Sequence, residues 1–428
     1  MKKLFAVLLA LGLIVAFSAT ASAVNVKFSG SYYLVGVYDD NPSLADNTGY
    51  SRAYFFQRIR IMPEFEIVKG LTFTARMDAM EGAWDGSSAT GNRSAQSVDT
   101  PRNFDWERGW MTFMTGIGKF DVGYMSGGAW GTLWADSETY RARIKWTGMF
   151  GPVMLLAIFE KNTEGNTVAP PHYVDADSTA YYLAPIFLWK GGQAGVLYGY
   201  INGASARPLG NYRVAKQILY PMMKATFGPV YMEAEVNYIF GSNEYDAGSG
   251  LQDVDYDGWG AYLMVKANMG PASFGGQIGW SAGEDTDKQT ITVGPGKGAD
   301  WNPALILFND DLNTWSGGDI NTNAGSGANA NINDGYLFLN MFADYKVTPK
   351  FSLGSALTWA KADEVQIAGQ DDDYGLELDV TATYKIYDNL SYMVGAGYLW
   401  AGDWYKKGVA AAQVDNDYIL MNKLTLTF

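Results

Sequence analysis

The chain has 428 residues, 45 acidic against 31 basic, a formal net charge of −14 and no cysteine. Without cysteine there are no disulfides, thiolate metal centres or Cys-x-x-Cys-His haem attachments, and so acidic a chain is a poor partner for nucleic acid, whose phosphates need clustered cations. Fifty glycines and 15% aromatics beside ordinary hydrophobicity suit strands with one face in lipid and one in water.

At the N-terminus, Met1-Lys2-Lys3 is basic, Leu4 to Phe17 apolar, and Ala21-Ser22-Ala23 a small-residue cleavage pattern. Residues 1–23 therefore read as a secretory signal peptide whose apolar core is too short to span a bilayer. Residues 24–428 carry no linker or composition shift and read as one domain, its charge lowered to −16 by the loss of Lys2 and Lys3. They hold no run of about 18 apolar residues, so a closed barrel is the one spanning structure left.

Short turns and long polar connections alternate along this domain. The tight turns are Lys69-Gly70, Thr115 to Gly118, Gly148 to Pro152, Lys190 to Gly192, Gly228-Pro229, Gly270-Pro271, Thr348 to Lys350 and Asp388-Asn389, each a cluster that reverses a hairpin. Longer connections lie near 39–49, 85–102, 127–138, 162–177, 202–212, 241–256, 282–333, 361–373 and 401–415. Eight turns and nine loops join eighteen strands, with sixteen the alternative; both termini fall on the turn side. The fold class expected is all-β, a transmembrane antiparallel barrel with short periplasmic turns and long extracellular loops.

Period-two alternation supports the strands. Ile59, Ile61, Phe65 and Ile67 oppose Arg58, Arg60, Glu64 and Glu66, with Pro63 read as a bulge or an irregularity near the periplasmic end. Tyr140, Ala142, Ile144 and Trp146 alternate with Arg141, Arg143 and Lys145, and Leu376, Leu378 and Val380 with Glu377, Asp379 and Thr381. Aromatics recur near strand ends, as the two interfacial girdles of a membrane barrel require. In the last segment Tyr418, Leu420, Leu424, Leu426 and Phe428 oppose Lys423, Thr425 and Thr427. It resembles the closing strand of bacterial outer-membrane β-barrels, whose terminal Phe is read by the barrel-assembly machinery. That resemblance implies an outer-membrane location, with lipid and lipopolysaccharide around the barrel.

Eighteen strands enclose more space than their own side chains fill, so a wet lumen is expected unless loops plug it. The inward positions Arg58, Arg60, Arg76, Arg108, Arg141, Arg143 and Lys145 read as a basic wall, screened by water and counter-ions. Pairing with local acids such as Asp78 or Asp105 is the structural alternative. Acidic inward positions (Glu233, Glu235, Asp344, Glu377 and Asp379) lie further round.

Met125 to Glu138, rich in Gly and Trp and ending on Asp136 and Glu138, resembles the third loop of general diffusion porins and of eighteen-stranded substrate-selective porins, though it lacks their literal loop motif. The resemblance implies that this loop folds inward and that Asp136 and Glu138 face Arg58, Arg60, Arg76 and Arg108 across a narrow eyelet. An exposed lid is the alternative. Fields of that kind orient dipolar solutes. In the longest loop, Trp301 to Phe308 is too apolar for water and is expected to tuck over or into the mouth as a short helix, with binding of a partner the alternative.

Asp253-Val-Asp255-Tyr-Asp257-Gly258 opens like a calcium loop but has Met264 at the twelfth position, where a bidentate Glu is needed; it reads as a solvated acidic loop. The one histidine, His172, has no nucleophile beside it, so no catalysis, cofactor or metal is expected. The leading reading is a passive channel for small hydrophilic solutes and ions. The alternatives are a selective channel for anionic solutes, or the barrel sheath of an envelope complex such as a porin–cytochrome conduit. Homotrimer and monomer are both compatible with the pattern.

Overall fold

The computed structural model describes residues 24–44, 51–84, 104–169, 172–207, 211–285, 289–316 and 334–428; the segment read as a signal peptide, 1–23, lies outside them. The strands that form the wall are β1 (Asn25–Asp39), β2 (Arg52–Val68), β3 (Leu71–Ala83), β4 (Phe104–Thr115), β5 (Gly118–Gly127) and β6 (Thr139–Phe150). There follow β7 (Val153–Thr163), β8 (Ser178–Trp189), β9 (Gly192–Gly203), β10 (Tyr212–Phe227), β11 (Val230–Tyr245) and β12 (Val254–Met269). The last six are β13 (Ala272–Ser281), β14 (Tyr336–Lys346), β15 (Phe351–Lys361), β16 (Asp373–Tyr387), β17 (Leu390–Ala401) and β18 (Asp417–Thr427).

Each strand pairs antiparallel with its neighbours in sequence, and β18 returns to β1, closing an eighteen-stranded barrel. The closing ladder runs from Ser31 opposite Thr427 to Asp39 opposite Ile419. Beyond it Gly30 N donates to Phe428 O at 2.8 Å and Phe428 N to Gly30 O at 3.1 Å. The final residue is thus part of the seam, which leaves no sheet edge in the membrane.

All eight tight turns reverse the chain where the Gly, Pro and Asn clusters stand. Gly228 and Gly270 take φ of 59° and 61°, left-handed values that cost glycine nothing. At Pro63 the expected bulge or irregularity is an interrupted ladder without a bulge: Ile61 faces Met77 and Glu64 faces Thr74, one register on both sides of it. The ladder skips the two intervening pairs, at Met62 and Pro63, so no hydrogen bond is asked of the proline nitrogen.

Period two sorts the side chains. Met341, Val380 and Leu420 stand exposed on the outer face while their alternates Asn340, Asp379 and Ile419 are buried inside. Because lipid replaces water outside, this is the favourable arrangement. The expected acidic loop is partly strand: Val254 to Gly258 belongs to β12, with Asp255 and Asp257 exposed. Among the described residues no helix is long and apolar enough to cross a membrane. Two smaller features are a hairpin of Asn166–Ala169 with His172–Asp175, and a two-residue strand, Thr290–Ile291, parallel to β12.

Candidate pore constriction

Two loops enter the barrel. L3 (residues 128–138, between β5 and β6) crosses to the far wall and is pinned at three points. Trp130 Nε1 donates to Tyr220 O at 2.8 Å, and Thr132 N donates to Glu235 Oε2 at 2.6 Å. Trp134 is fully buried and stacks on Tyr262, centroids 5.6 Å apart. Its slot exists because β12 and β13 carry Gly260 and Gly279 there: a Cβ on Gly260 would stand 2.8 Å from Trp134 Cη2, and one on Gly279 2.9 Å from Trp134 Nε1. The expected inward folding of this loop is therefore what the structure has.

The described residues of L7 (282–285, 289–316 and 334–335, between β13 and β14) pack against L3 and occupy the side of the lumen near the seam. Gly298 N and Ala299 N donate to Trp134 O and Asp136 O at 2.6 and 2.7 Å. The apolar stretch then turns inward, and two wall carboxylates take its backbone. Ile306 N and Leu307 N donate to the two oxygens of Glu377 at 2.7 and 2.6 Å, and Leu305 N to Asp379 Oδ2 at 3.2 Å. Glu377 is completely buried, so these N–H groups are what satisfies its oxygens there. Asn309 Oδ1 accepts from Leu312 N at 2.7 Å and caps the short helix α1 (Asp310–Ser316). Ile306, Leu307, Phe308, Leu312 and Trp315 then join Tyr33, Phe56 and Phe338 in one buried core. That half of the lumen is largely filled, with a cavity of about 380 Å³ left among Leu305, Trp315, Asp344, Asp379 and Lys423.

The candidate cations line the other half, where they are largely paired. Arg60 grips Asp78 with two hydrogen bonds, 2.8 and 2.6 Å. Arg76 Nε donates to Glu107 at 2.6 Å, Nη1 to Glu138 at 3.1 Å and Nη2 to Tyr140 Oη at 2.8 Å. Arg108 also donates to Glu138, and Arg58 lies 3.7 Å from Glu81. The first four arginines thus form no uncompensated basic wall: Asp78, Glu81, Glu107 and Glu138 match them. Two of those acids come from bulges. The β2–β3 register slips by one between Arg58 and its neighbours, where Met80 takes φ of 52° and Glu81 turns inward. The β3–β4 register slips at Glu107, so that Glu107 and Arg108 both reach Arg76 or its partner Glu138. A bulge re-aims a side chain that alternation sends outward.

Of the two loop acids expected at the eyelet, Glu138 meets the arginines by direct contact and Asp136 does not. Asp136 Oδ1 accepts from Glu138 N at 2.9 Å and holds the loop's own turn. Burial disfavours the charged form of Glu138, but Arg108 and Arg76 override it and hold its carboxyl at about 2. Burial raises Asp136 and Asp300 above the ordinary 3.8, with further upward pressure on both from Glu138 and on Asp136 from Asp300.

Arg141, Arg143 and Lys145 open on a cavity of about 390 Å³ between L3 and the β6–β11 wall. Arg143 Nε lies 2.8 Å from Glu160 Oε2, a charge contact without hydrogen-bond alignment, and Arg143 Nη1 donates to Ser126 O at 2.6 Å. Arg141 lies 3.5 Å from the same Glu160, and Lys145 3.8 Å from Asp121, an acid that Lys119 approaches to 3.0 Å. Lys216 on β10 completes this lining and has no ion-pair partner among the described residues. Tyr182, Tyr220 and Trp130 supply aromatic faces. Sequence alone misses Lys216, because Arg213, three residues before it, is the residue paired with Glu244 and the local pattern does not tell the two cations apart.

A closed eighteen-stranded barrel with an inward third loop meeting an arginine cluster is porin architecture, and the profile of the Gram-negative porin family matches residues 9–419. The chain belongs to the Gram-negative porin family. It is an outer-membrane protein whose outer face meets lipid. Among solved structures the porin is similar to a BenF-like porin from Pseudomonas fluorescens Pf-5, with TM-score 0.55, 10% identity, and coverage of 94% of this chain and 99% of that one. It is similar to OccK2 (OpdF) of Pseudomonas aeruginosa in complex with glucuronate, with TM-score 0.51, 11% identity, and 96% and 99% coverage. Pseudomonas aeruginosa OpdK with vanillate gives TM-score 0.50, 10% identity, and 94% and 98% coverage. At such identities the likeness is one of fold. No curated protein matches the chain.

Proposed function

We propose that this porin conducts small hydrophilic solutes passively and favours anions, by a path on the β3–β11 side of the lumen. The observation that carries the preference is the lining of the 390 Å³ cavity: Arg141, Arg143, Lys145 and Lys216 against the carboxylates Glu160 and Glu235. Glu235 is already engaged by Thr132 N. In a narrow channel, charge of one sign raises the local concentration of its counter-ions. The overall acidity of the chain does not oppose this, because the field in the path is set by the groups that face it. Two neighbours of the same fold were solved with glucuronate and vanillate, both carboxylates, which agrees with an anion path but does not identify a solute here.

Reversal potentials across a planar bilayer in a salt gradient test the reading. Wild type is expected to prefer anions, and Lys216→Gln with Arg141→Gln to lose most of that preference. A reversal potential unchanged in the double variant overturns the assignment of the path to this cavity. A wild-type channel that prefers cations overturns the anion reading itself.

A further inference from the structure

Beneath L7 the lumen keeps a second cavity, of about 380 Å³, across the barrel from the cation-lined one. Its roof is L7 between Asn302 and Trp315, and its walls are the inner faces of β14 to β18. Lys423 and Asp344 place it toward the periplasmic ends of β18 and β14. Asp344 is half exposed, so water reaches the niche.

The charge here has the opposite sign. Asp311, Asp344 and Asp379 line the niche against one cation, Lys423. That lysine is engaged: Nζ donates to Asp311 Oδ2 at 3.3 Å and lies 4.9 and 5.0 Å from the ring centroids of Tyr33 and Trp315. Asp379 Oδ2 accepts from Leu305 N, while its Oδ1 is buried without a hydrogen bond. Among the described residues no cation pairs with Asp379. One point of the floor is shaped for a donor. Gly354 on β15 stands between Asp344 on β14 and Thr381 on β16. A Cβ there would lie 3.0 Å from Asp344 Oδ1 and 2.6 Å from Thr381 Oγ1, so both oxygens lean over the glycine. Lys266 and Ser273 approach Asp344 through its other oxygen, at 3.6 and 3.4 Å. Leu305, Phe342, Met393 and Met421 make the rest of the lining apolar.

We propose that this niche binds small organic ammonium ions, with the ammonium donating to Asp344 Oδ1 and Thr381 Oγ1 and the hydrocarbon against Phe342 and Met421. An ammonium has three donors and no acceptor, which matches a notch of acceptor oxygens on an acidic wall. An anion meets Asp344 and Asp379 as like charges. A hard metal ion needs six or more oxygen ligands, more than the notch supplies, and has no use for the apolar wall. The site shares no residue with the anion path proposed above, so either can fail without the other.

Three probes of one shape separate charge from greasiness: benzylammonium, benzyl alcohol and benzoate. Saturation-transfer NMR titrations give their dissociation constants on the full-length barrel in detergent, with heat-modifiable gel mobility confirming closure of each variant. Wild type is expected to bind benzylammonium saturably, and at least about tenfold more tightly than benzyl alcohol, the scale of one charge-assisted hydrogen bond. Asp344→Asn, which keeps the shape and removes the charge, is expected to weaken benzylammonium by about tenfold, and Gly354→Val to abolish its binding by filling the notch. Lys216→Gln with Arg141→Gln leaves benzylammonium binding unchanged. No saturable binding to the closed wild-type barrel, equal affinity for benzyl alcohol, or affinity unchanged in both Asp344→Asn and Gly354→Val overturns the proposal.

Discussion

Replacing Glu377 by Ala tests how L7 is held. In wild type the two carboxylate oxygens accept the N–H groups of Ile306 and Leu307 at 2.7 and 2.6 Å, with the glutamate fully buried. The alanine leaves both donors orphaned in an apolar surround, at about 1–3 kcal/mol each. The docked state is then disfavoured by about 2–6 kcal/mol, which lowers the docked-to-undocked ratio roughly 30-fold to 10⁴-fold. Glu377→Gln keeps one acceptor oxygen and is expected to fall between. Asp379 still takes Leu305 N, so the variant loosens the segment without removing every anchor. Single-channel recording in planar bilayers reads the outcome. Glu377→Ala is expected to show an added, larger conductance level with more open-channel noise, and Glu377→Gln a smaller effect. A folded Glu377→Ala barrel with one conductance level at wild-type amplitude refutes the claim that these two bonds keep L7 in the lumen.

Acidification separates the loop carboxylates. Asp136 and Asp300, raised above 3.8 by burial, take up protons first as the pH falls from neutrality, whereas Glu138 stays charged down to about 2. The constriction becomes more positive while the Glu138 ion pairs persist, so anion preference is expected to rise at mildly acidic pH, as reversal potentials measured stepwise from pH 7 to 4 will show. The depressed Glu138 carboxyl contributes stability fully present above its unfolded value of 4.5 and lost only as the pH falls through about 2. Gly260→Val places a Cβ 2.7 Å from Pro295 Cδ and 2.8 Å from Trp134 Cη2 and is expected to expel Trp134, at a cost of about 3–5 kcal/mol, the range of emptying a Trp site. L3 then loses its grip on β12, and a larger conductance with weaker solute discrimination is the expected recording.

The barrel was legible because its cause is local. Leu376, Leu378 and Val380 face lipid and Glu377, Asp379 and Thr381 face the lumen for the reason that successive strand residues point opposite ways, and Gly228-Pro229 or Asp388-Asn389 reverses the chain by backbone preference alone. What surrounds the arginines was not legible. Strict alternation sends Glu81 and Glu107 away from Arg58 and Arg76, and a single inserted residue in β3 and in β4 brings them back. Nothing in a two-residue period signals that insertion.

The loops divide the same way. Trp301 to Phe308 announces by its apolarity that it must leave water. That Glu377 and Asp379, some 70 residues further on, would receive its backbone depends on where the closed barrel sets β16 relative to the loop. The fate of Asp136 and Glu138 turned on loop path: two residues apart, one caps its own turn and the other reaches Arg76 and Arg108. The sequence by itself determined that the chain is a closed membrane barrel, because facing and turning are properties of neighbouring residues. Only the tertiary structure decided which charges remain uncompensated in the lumen and how far the loops fill it, because pairing and filling arise from residues that only barrel closure brings together.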